Sequence, residues 1–206
     1  MSLVTAIKLG AAAAAAAFLV ASPAFAGKGD LDKGRAKAIE ICAPCHGENG
    51  WSDAPGVPNL AGNADLFLQW QLVYFRNGRR PSDVMGTIAN LLSDADINNL
   101  GAYFASLPPV NIPETPDKNP QLTETGKALV QQHRCANCHG DNFLGMRAAA
   151  RLANQREDYL VKALADYRSA ARPSAGVGAM IEATASLSDD DIAAVSHYLA
   201  RLPANP

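Results

Sequence analysis

The chain has 206 residues, a formal net charge of −2 and 48% hydrophobic residues. This length is sufficient for two small domains. The near-neutral charge, without a basic or an acidic run, excludes an evident nucleic-acid-binding surface or a charged tail.

The first 26 residues have the pattern of a secretory signal peptide. Lys8 provides the positive end, residues 9–20 form a short apolar stretch, and Ala24-Phe25-Ala26 matches a small-x-small cleavage site. Twelve apolar residues are fewer than the roughly 20 that a membrane-spanning helix requires. We therefore expect cleavage after Ala26 and export of the remaining chain.

A helix predicted from about Lys33 to Cys42 leads into the pentapeptide Cys42-Ala43-Pro44-Cys45-His46. Cys-x-x-Cys-His is the attachment signature for c-type haem, in which both thiols form thioethers and the histidine binds the iron. A disulfide, which an exported protein can form, and a zinc ribbon are the other interpretations of paired cysteines. The histidine directly after the second cysteine favours haem over both.

Two further helices are predicted in the first half. The middle helix covers residues 65–76, and the last helix starts at a capping box formed by Ser93 and Asp96 and carries apolar residues at helical spacing over 97–107. Met85 lies between them in a predicted loop. A methionine there is either a soft core residue or the sixth ligand of a haem iron.

Residues 108–120 contain five prolines. Proline removes a backbone donor and restricts the chain, so neither a helix nor a central strand is predicted there. We interpret this segment as a stiff, extended linker. It separates a first domain, residues 27–107, from a second domain, residues 121–206.

The second half repeats the first. Cys42 and Cys135 are 93 positions apart, Arg80 and Arg172 are 92 apart, and Met85 and Met180 are 95 apart. The difference corresponds to a three-residue insertion between Pro173 and Met180. Further helices are predicted over the matching segments, namely Thr125 to Cys135, Glu157 to Arg168, and a last helix capped by Ser188 and Asp191. Because no stretch alternates as a strand does, the predicted fold is all-α, with a small helical unit wrapped around a haem in each half.

The repeat predicts a second haem site with the same residue types as the first. Two haem c groups are therefore expected, and their predicted residues are Cys42, Cys45 and His46 for one, and Cys135, Cys138 and His139 for the other. Met85 and Met180 occupy the same repeat position, which favours both as sixth iron ligands. Met146 has no counterpart, so packing or a surface position is expected for it, with replacement of Met180 as an iron ligand as the other interpretation.

Other repeated or isolated residues allow weaker inferences. His133 and His197 are not repeated, and a surface or hydrogen-bonding role is expected for both. Four arginines are repeated and flank the methionine segments, where they could bind haem propionates or simply end helices in solvent. These are Arg76, Arg80, Arg168 and Arg172.

Taken together, the two Cys-x-x-Cys-His motifs, the matched methionines and the proline-rich connection resemble the cytochrome c4 family over the whole of residues 27–206. The resemblance implies two tandem cytochrome c-like domains in the bacterial periplasm that carry electrons and catalyse no reaction. It further implies a quinol–cytochrome c reductase-type donor and a terminal oxidase-type or other reductase acceptor, with peripheral contact to such membrane complexes.

Two alternatives stay open at this point. One is a small di-haem peroxidase-type enzyme, which needs an open iron; the matched methionines argue against it. The other is an electron-transfer subunit of a periplasmic dehydrogenase or reductase complex. Sequence hardly separates that subunit from a free carrier, because both use the same haem-binding units.

Overall fold

The computed structural model describes residues 29–109, 116–172 and 178–204. The predicted signal peptide, residues 110–115 of the predicted linker and residues 173–177 of the predicted insertion lie outside these ranges. Within the described ranges, no helix has the length and apolar character required to cross a membrane.

Helices form nearly all of the regular structure in the described residues, and the one β-bridge recorded there joins Met146 to Ala149. The all-α prediction is thus confirmed. The first half contains α1 (Leu31–Lys37), a π-helical continuation (Ala38–Cys42), α2 (Ala43–His46), α3 (Asp65–Arg76), α4 (Asp83–Asn90) and α5 (Asp94–Ser106). The second half contains α6 (Pro120–Gln132), α7 (Ala136–His139), α8 (Glu157–Arg168), α9 (Ala179–Thr184) and α10 (Asp189–Arg201).

The helices α3 and α8 have the predicted bounds, whereas the methionine segments were predicted wrongly as loops. Met85 lies in α4 and Met180 in α9. These helices have eight and six residues, too few turns for an apolar period to be recognised in the sequence. The sequence nevertheless contained one local signal for α4, because serine is a preferred residue at the start of a helix. In the structure, the Ser82 hydroxyl caps α4 by accepting the Met85 N–H at 3.2 Å.

Helix α6 also begins earlier than predicted, at Pro120 instead of Thr125. Proline is well tolerated at the first helical position, because the N–H that it lacks has no intrahelical acceptor there. The Asn119 side chain caps this helix by accepting the Leu122 N–H at 3.2 Å. The last residue of the predicted linker is thus helical.

In each half, the last helix packs against the first and middle helices and forms the core with them. Helix α5 contacts α1 and α3, and α10 contacts α6 and α8. Two equivalent glycines, Gly34 and Gly126, lie where the first and last helices cross. A Cβ on either would lie 2.7 Å from the Cβ of Tyr103 or Tyr198. The helices therefore approach more closely there than any side chain permits.

Arg76 and Arg168 attach the end of the middle helix to the start of the last helix. One guanidinium nitrogen of each donates to a backbone carbonyl, Leu92 at 3.1 Å and Leu187 at 2.8 Å. The other pairs with an aspartate in the first turn of the last helix, namely Asp94 at 2.6 Å and Asp189 at 2.5 Å. Of the two predicted interpretations, their contacts support the helix-end role.

His197 is buried and bridges two carboxylates, in agreement with the predicted hydrogen-bonding role. Its Nδ1 lies 3.1 Å from a Glu157 oxygen, and its Nε2 lies 3.1 Å from Asp117 Oδ1. Asp117 precedes α6, Glu157 begins α8, and His197 belongs to α10. The contacts therefore join the C-terminal side of the interdomain connection to two helices of the second half.

Asp117 should make the second half acid-sensitive. Thr123 donates to its carboxylate at 2.6 Å and the Asn119 N–H at 2.8 Å, and these hydrogen bonds, with His197 and Arg201, lower the pKa of Asp117 to about 2. Because an unfolded aspartate titrates near ~3.9, this stabilisation is complete above about pH 4 and is lost as the pH falls towards 2.

We therefore expect Asp117→Asn to be less stable than the parent protein at pH 5, with the difference shrinking as the pH falls to 2.5. Unfolding midpoints in denaturant at several pH values measure this difference. An equal difference in stability at pH 5 and pH 2.5 would contradict the assignment.

Candidate haem-binding sites

Each Cys-x-x-Cys-His motif forms a short helical turn that follows the first helix of its half. In the first half, Cys42 ends the π-helical segment and His46 ends α2. Cysteines three positions apart on a helical turn lie on neighbouring parts of one face. Cys42 is half-buried, Cys45 is exposed and His46 is buried, and the second motif shows the same order. All four thiols are unpaired, so neither motif is closed by a disulfide in the structure.

The two motif histidines share one hydrogen-bonding arrangement. His46 Nδ1 lies 2.9 Å from the Pro58 carbonyl oxygen, and His139 Nδ1 lies 2.8 Å from that of Ala150. A carbonyl oxygen only accepts, so Nδ1 carries the proton and Nε2 keeps its lone pair. Burial lowers the pKa of both rings, although these hydrogen bonds oppose the effect. Each histidine is therefore held as a neutral imidazole with Nε2 available to a metal.

The first cysteine of each motif is less acidic than a free thiol. Burial raises the pKa of Cys42 to about 11, against a smaller opposing effect of Lys37, and burial also raises the pKa of Cys135. Thiolates, not thiols, carry out disulfide exchange and oxidation. The Cys42 and Cys135 thiols consequently stay protonated at neutral pH, which disfavours disulfide exchange and oxidation at these two side chains.

The two methionines occupy equivalent places in the fold. Met85 is on α4, which packs against α3, and Met180 is on α9, which packs against α8. Both side chains are half-buried. Met146 is 46% exposed in the turn after α7, which agrees with the expected surface position. Each half thus combines one buried motif histidine and one half-buried methionine at equivalent repeat positions, in the same order along the chain.

The two halves meet through hydrogen bonds between equivalent loops, residues 57–63 and 149–155. Gln155 Oε1 accepts the Asn59 N–H at 2.8 Å, and Gln155 Nε2 donates to the Asn59 carbonyl at 2.9 Å. Asn63 Oδ1 accepts the Arg151 N–H at 2.9 Å. Both Asn63 and Gln155, and both Asn59 and Arg151, are 92 positions apart. The domain boundary is therefore built from repeat-equivalent residues that exchange contacts in pairs.

A second group at the boundary contains the other two repeated arginines. Arg80 and Arg172 donate to Gln71 Oε1 at 2.8 and 2.9 Å and to the Tyr159 hydroxyl at 3.2 and 3.1 Å. Burial alone raises the pKa of Tyr159, but the guanidinium groups of Arg172 and Arg80 outweigh it and lower this pKa to about 8. The group is thus rich in positive charge.

Arg172 is only 3% exposed, and its Nε is buried without a hydrogen-bond partner among the described residues. A buried, unpaired N–H costs free energy unless a further acceptor is bound. A carboxylate, which guanidinium groups bind with paired hydrogen bonds, is the kind of acceptor that fits there. Haem carries two propionate carboxylates, so the chemistry of this group suits a haem edge.

Sequence reasoning missed the carbonyl partners of the histidines and the amide side chains at the boundary. A backbone carbonyl leaves no signature in residue type, so Pro58 and Ala150 could not be identified as histidine acceptors. Asn63 and Gln155 look like ordinary polar loop residues. The repeat offset of 92 was the available signal, since it places an amide side chain at the same position in both halves.

Comparison with known proteins points to one family. The family model described as cytochrome c matches residues 31–108 and again residues 123–203. Cytochrome c4 of Azotobacter vinelandii is 34% identical over 190 residues, which covers 83% of this chain and 88% of that protein. The thiosulfate dehydrogenase electron acceptor of Thiomonas intermedia (strain K12) is 28% identical over 180 residues, covering 80% of each chain.

A solved structure agrees with this result. The crystal structure of reduced recombinant cytochrome c4 from Pseudomonas stutzeri matches with a TM-score of 0.74 and 30% identity, covering 84% of this chain and 99% of that chain. The two matched segments, the helical order and the paired histidine sites lead to the same assignment. The chain belongs to the cytochrome c family and, within it, to the cytochromes c4.

Proposed function

We propose that this cytochrome c4, an electron-transfer protein and not an enzyme, is a periplasmic carrier with one haem c in each half. In this proposal it takes electrons from a quinol-oxidising complex of the quinol–cytochrome c reductase type. It delivers them to a terminal oxidase or another reductase. The observation that carries the proposal is the pair of motif histidines, both with Nδ1–H bound to a carbonyl and Nε2 available.

In the proposed sites, Cys42 and Cys45 attach one haem, and Cys135 and Cys138 attach the other. His46 and His139 provide the proximal nitrogen. The bound haem supplies a one-electron couple at iron. The role of the protein is to hold each histidine at one orientation, which the Pro58 and Ala150 carbonyls do.

Met85 and Met180 are the proposed sixth ligands. A thioether opposite histidine is typical of electron-transfer cytochromes and raises the reduction potential. A filled sixth position also leaves no site for peroxide, which disfavours the peroxidase alternative.

Arg80 and Arg172 are proposed to bind haem propionates at the domain boundary. The unpaired Nε of Arg172 supports this role. Their equivalent repeat positions suggest that each serves the haem of its own half. Both arginines would then hold propionate carboxylates within the boundary group that they form with Gln71 and Tyr159.

A second candidate function is that of an electron-accepting subunit for a periplasmic dehydrogenase, in place of a free respiratory carrier. The similarity to a thiosulfate dehydrogenase electron acceptor favours this candidate. Affinity purification of the chain from its native periplasm separates the two. A stoichiometric dehydrogenase in the purified material would support the subunit, and a chain that purifies alone would support the free carrier.

Haem quantitation and visible spectra of the purified protein test the main proposal. We expect two haems per chain, low-spin in both oxidation states, reversibly reducible and unaffected by carbon monoxide. A closed histidine–methionine iron has no free position, so the spectrum of the reduced protein should not change with the gas. A single haem, or full binding of carbon monoxide, would contradict the proposed sites.

A further inference from the structure

The peptide group that accepts the hydrogen bond of His46 also donates one across the domain boundary. Its oxygen is that of Pro58, 2.9 Å from His46 Nδ1. Its N–H belongs to Asn59 and donates to Gln155 Oε1 at 2.8 Å. One planar peptide therefore connects a proximal histidine of the first half to an amide side chain of the second half.

The second half repeats this arrangement in the opposite direction. The oxygen of Ala150 lies 2.8 Å from His139 Nδ1. The N–H of the same peptide belongs to Arg151 and donates to Asn63 Oδ1 at 2.9 Å. Since Asn63 and Gln155 are repeat-equivalent, each half supplies one amide oxygen to the histidine-binding peptide of the other.

Hydrogen bonds in a chain polarise one another. A peptide whose N–H donates to an amide oxygen carries more negative charge on its own oxygen and accepts more strongly from the histidine. That bond in turn makes the imidazole more electron-rich and a better ligand for oxidised iron. Gln155 and Asn63 are 5% and 4% exposed, so water has little access to replace them as acceptors.

We propose that Gln155 and Asn63 are positioning residues that each tune the haem of the opposite domain, Gln155 the first haem and Asn63 the second. The inference rests on the proposed di-haem function. It makes both reduction potentials depend on the integrity of the domain boundary. A rearrangement of that boundary, for instance when a redox partner docks, would reach both irons through their proximal histidines.

The test uses Gln155→Met and Asn63→Leu, which keep approximate side-chain size and remove the acceptor oxygen. A redox titration monitored through the haem-methyl NMR resonances gives the potential of each haem separately. The resonances of the first haem are assigned as those that change in a Met85→His variant. We expect Gln155→Met to raise the potential of the first haem more than that of the second. Asn63→Leu should do the reverse.

Gln155→Glu and Asn63→Asp provide a second pair of variants in case the apolar ones fold poorly. A carboxylate is a stronger acceptor than an amide, so these variants should lower the potential of the same haem that the apolar variants raise. The N–H donation that each variant also removes goes to the Asn59 carbonyl, which binds neither histidine. The Nδ1–H resonance of the corresponding histidine should shift in opposite directions in the two pairs.

Arg156→Lys is the matched control. Arg156 Nη1 donates across the same boundary to the Ser52 carbonyl at 2.9 Å, but it contacts neither histidine-binding peptide. It keeps its charge in the variant, and both potentials should stay as in the parent protein. Unchanged potentials in all four Gln155 and Asn63 variants would overturn the inference, and so would Gln155 and Asn63 variants that shift the potential of one and the same haem. If the parent protein itself does not show two reversible redox couples, the proposed function is rejected instead.

Discussion

Replacing Met85 by alanine is expected to open the first iron and leave the second closed. The reduced variant should bind one carbon monoxide per chain, whereas the parent protein binds none, because only the first sixth position becomes vacant. Met180→Ala should open the second iron in the same way. Axial ligands span roughly 0.8 V among haem proteins, so we expect the affected potential to fall by on the order of 0.1 V.

Carbon monoxide difference spectra and a redox titration measure both effects. Met146→Ala is the control, because Met146 is exposed and has no repeat counterpart; it should leave both haems closed. A Met85→Ala protein with parental spectra and potentials would remove that methionine from the proposed ligands. The same outcome for Met180→Ala would remove the other.

Gly126→Ala is expected to lower the stability of the protein, because Gly126 lies where the first and last helices of the second half cross. An alanine Cβ there would collide with the Ala194 carbonyl oxygen and lie 2.7 Å from the Ala194 carbonyl carbon. These are backbone atoms of α10, so relief requires moving one helix against the other. Overpacking of this kind typically costs ~1–3 kcal/mol, and Gly34→Ala in the first half should cost a similar amount.

Gly86→Ala is the matched control. Gly86 is also helical, but a Cβ there would meet only the Phe75 carbonyl oxygen, at 3.8 Å. Alanine in a helix with free space is favoured over glycine by roughly 0.5–1 kcal/mol. We expect Gly86→Ala to unfold at the parental denaturant concentration or above it, and Gly126→Ala well below it. Equal midpoints for the two variants would show that the crossing tolerates a larger separation.

Long helices and capping boxes carry local signals that identify them in the sequence. The middle helices α3 and α8 were predicted with their observed bounds, since twelve residues hold more than three turns of apolar spacing. The capping boxes at Ser93 and Ser188 are both formed. The short helices with Met85 and Met180 were missed because one or two turns contain too little periodicity.

The repeated arginines illustrate a different limit. Arg76 and Arg80 are four residues apart and looked equivalent in the sequence, yet one binds the start of α5 and the other lies at the domain boundary. Residue type indicates that a guanidinium will pair with an anion or a carbonyl. It does not indicate which one, since the partners are distant in the chain and are brought near only by packing.

The sequence by itself determined the motifs, the duplication and the longer helices, because each depends on residues a few positions apart or on direct comparison of the two halves. Only the tertiary structure decided which carbonyl orients each histidine, and that Gln155 and Asn63 contact those peptides across the boundary. Those contacts join backbone groups to side chains 88 to 96 positions away. Every residue carries a peptide N–H or C=O, so only the packing of the two halves selects the ones that meet.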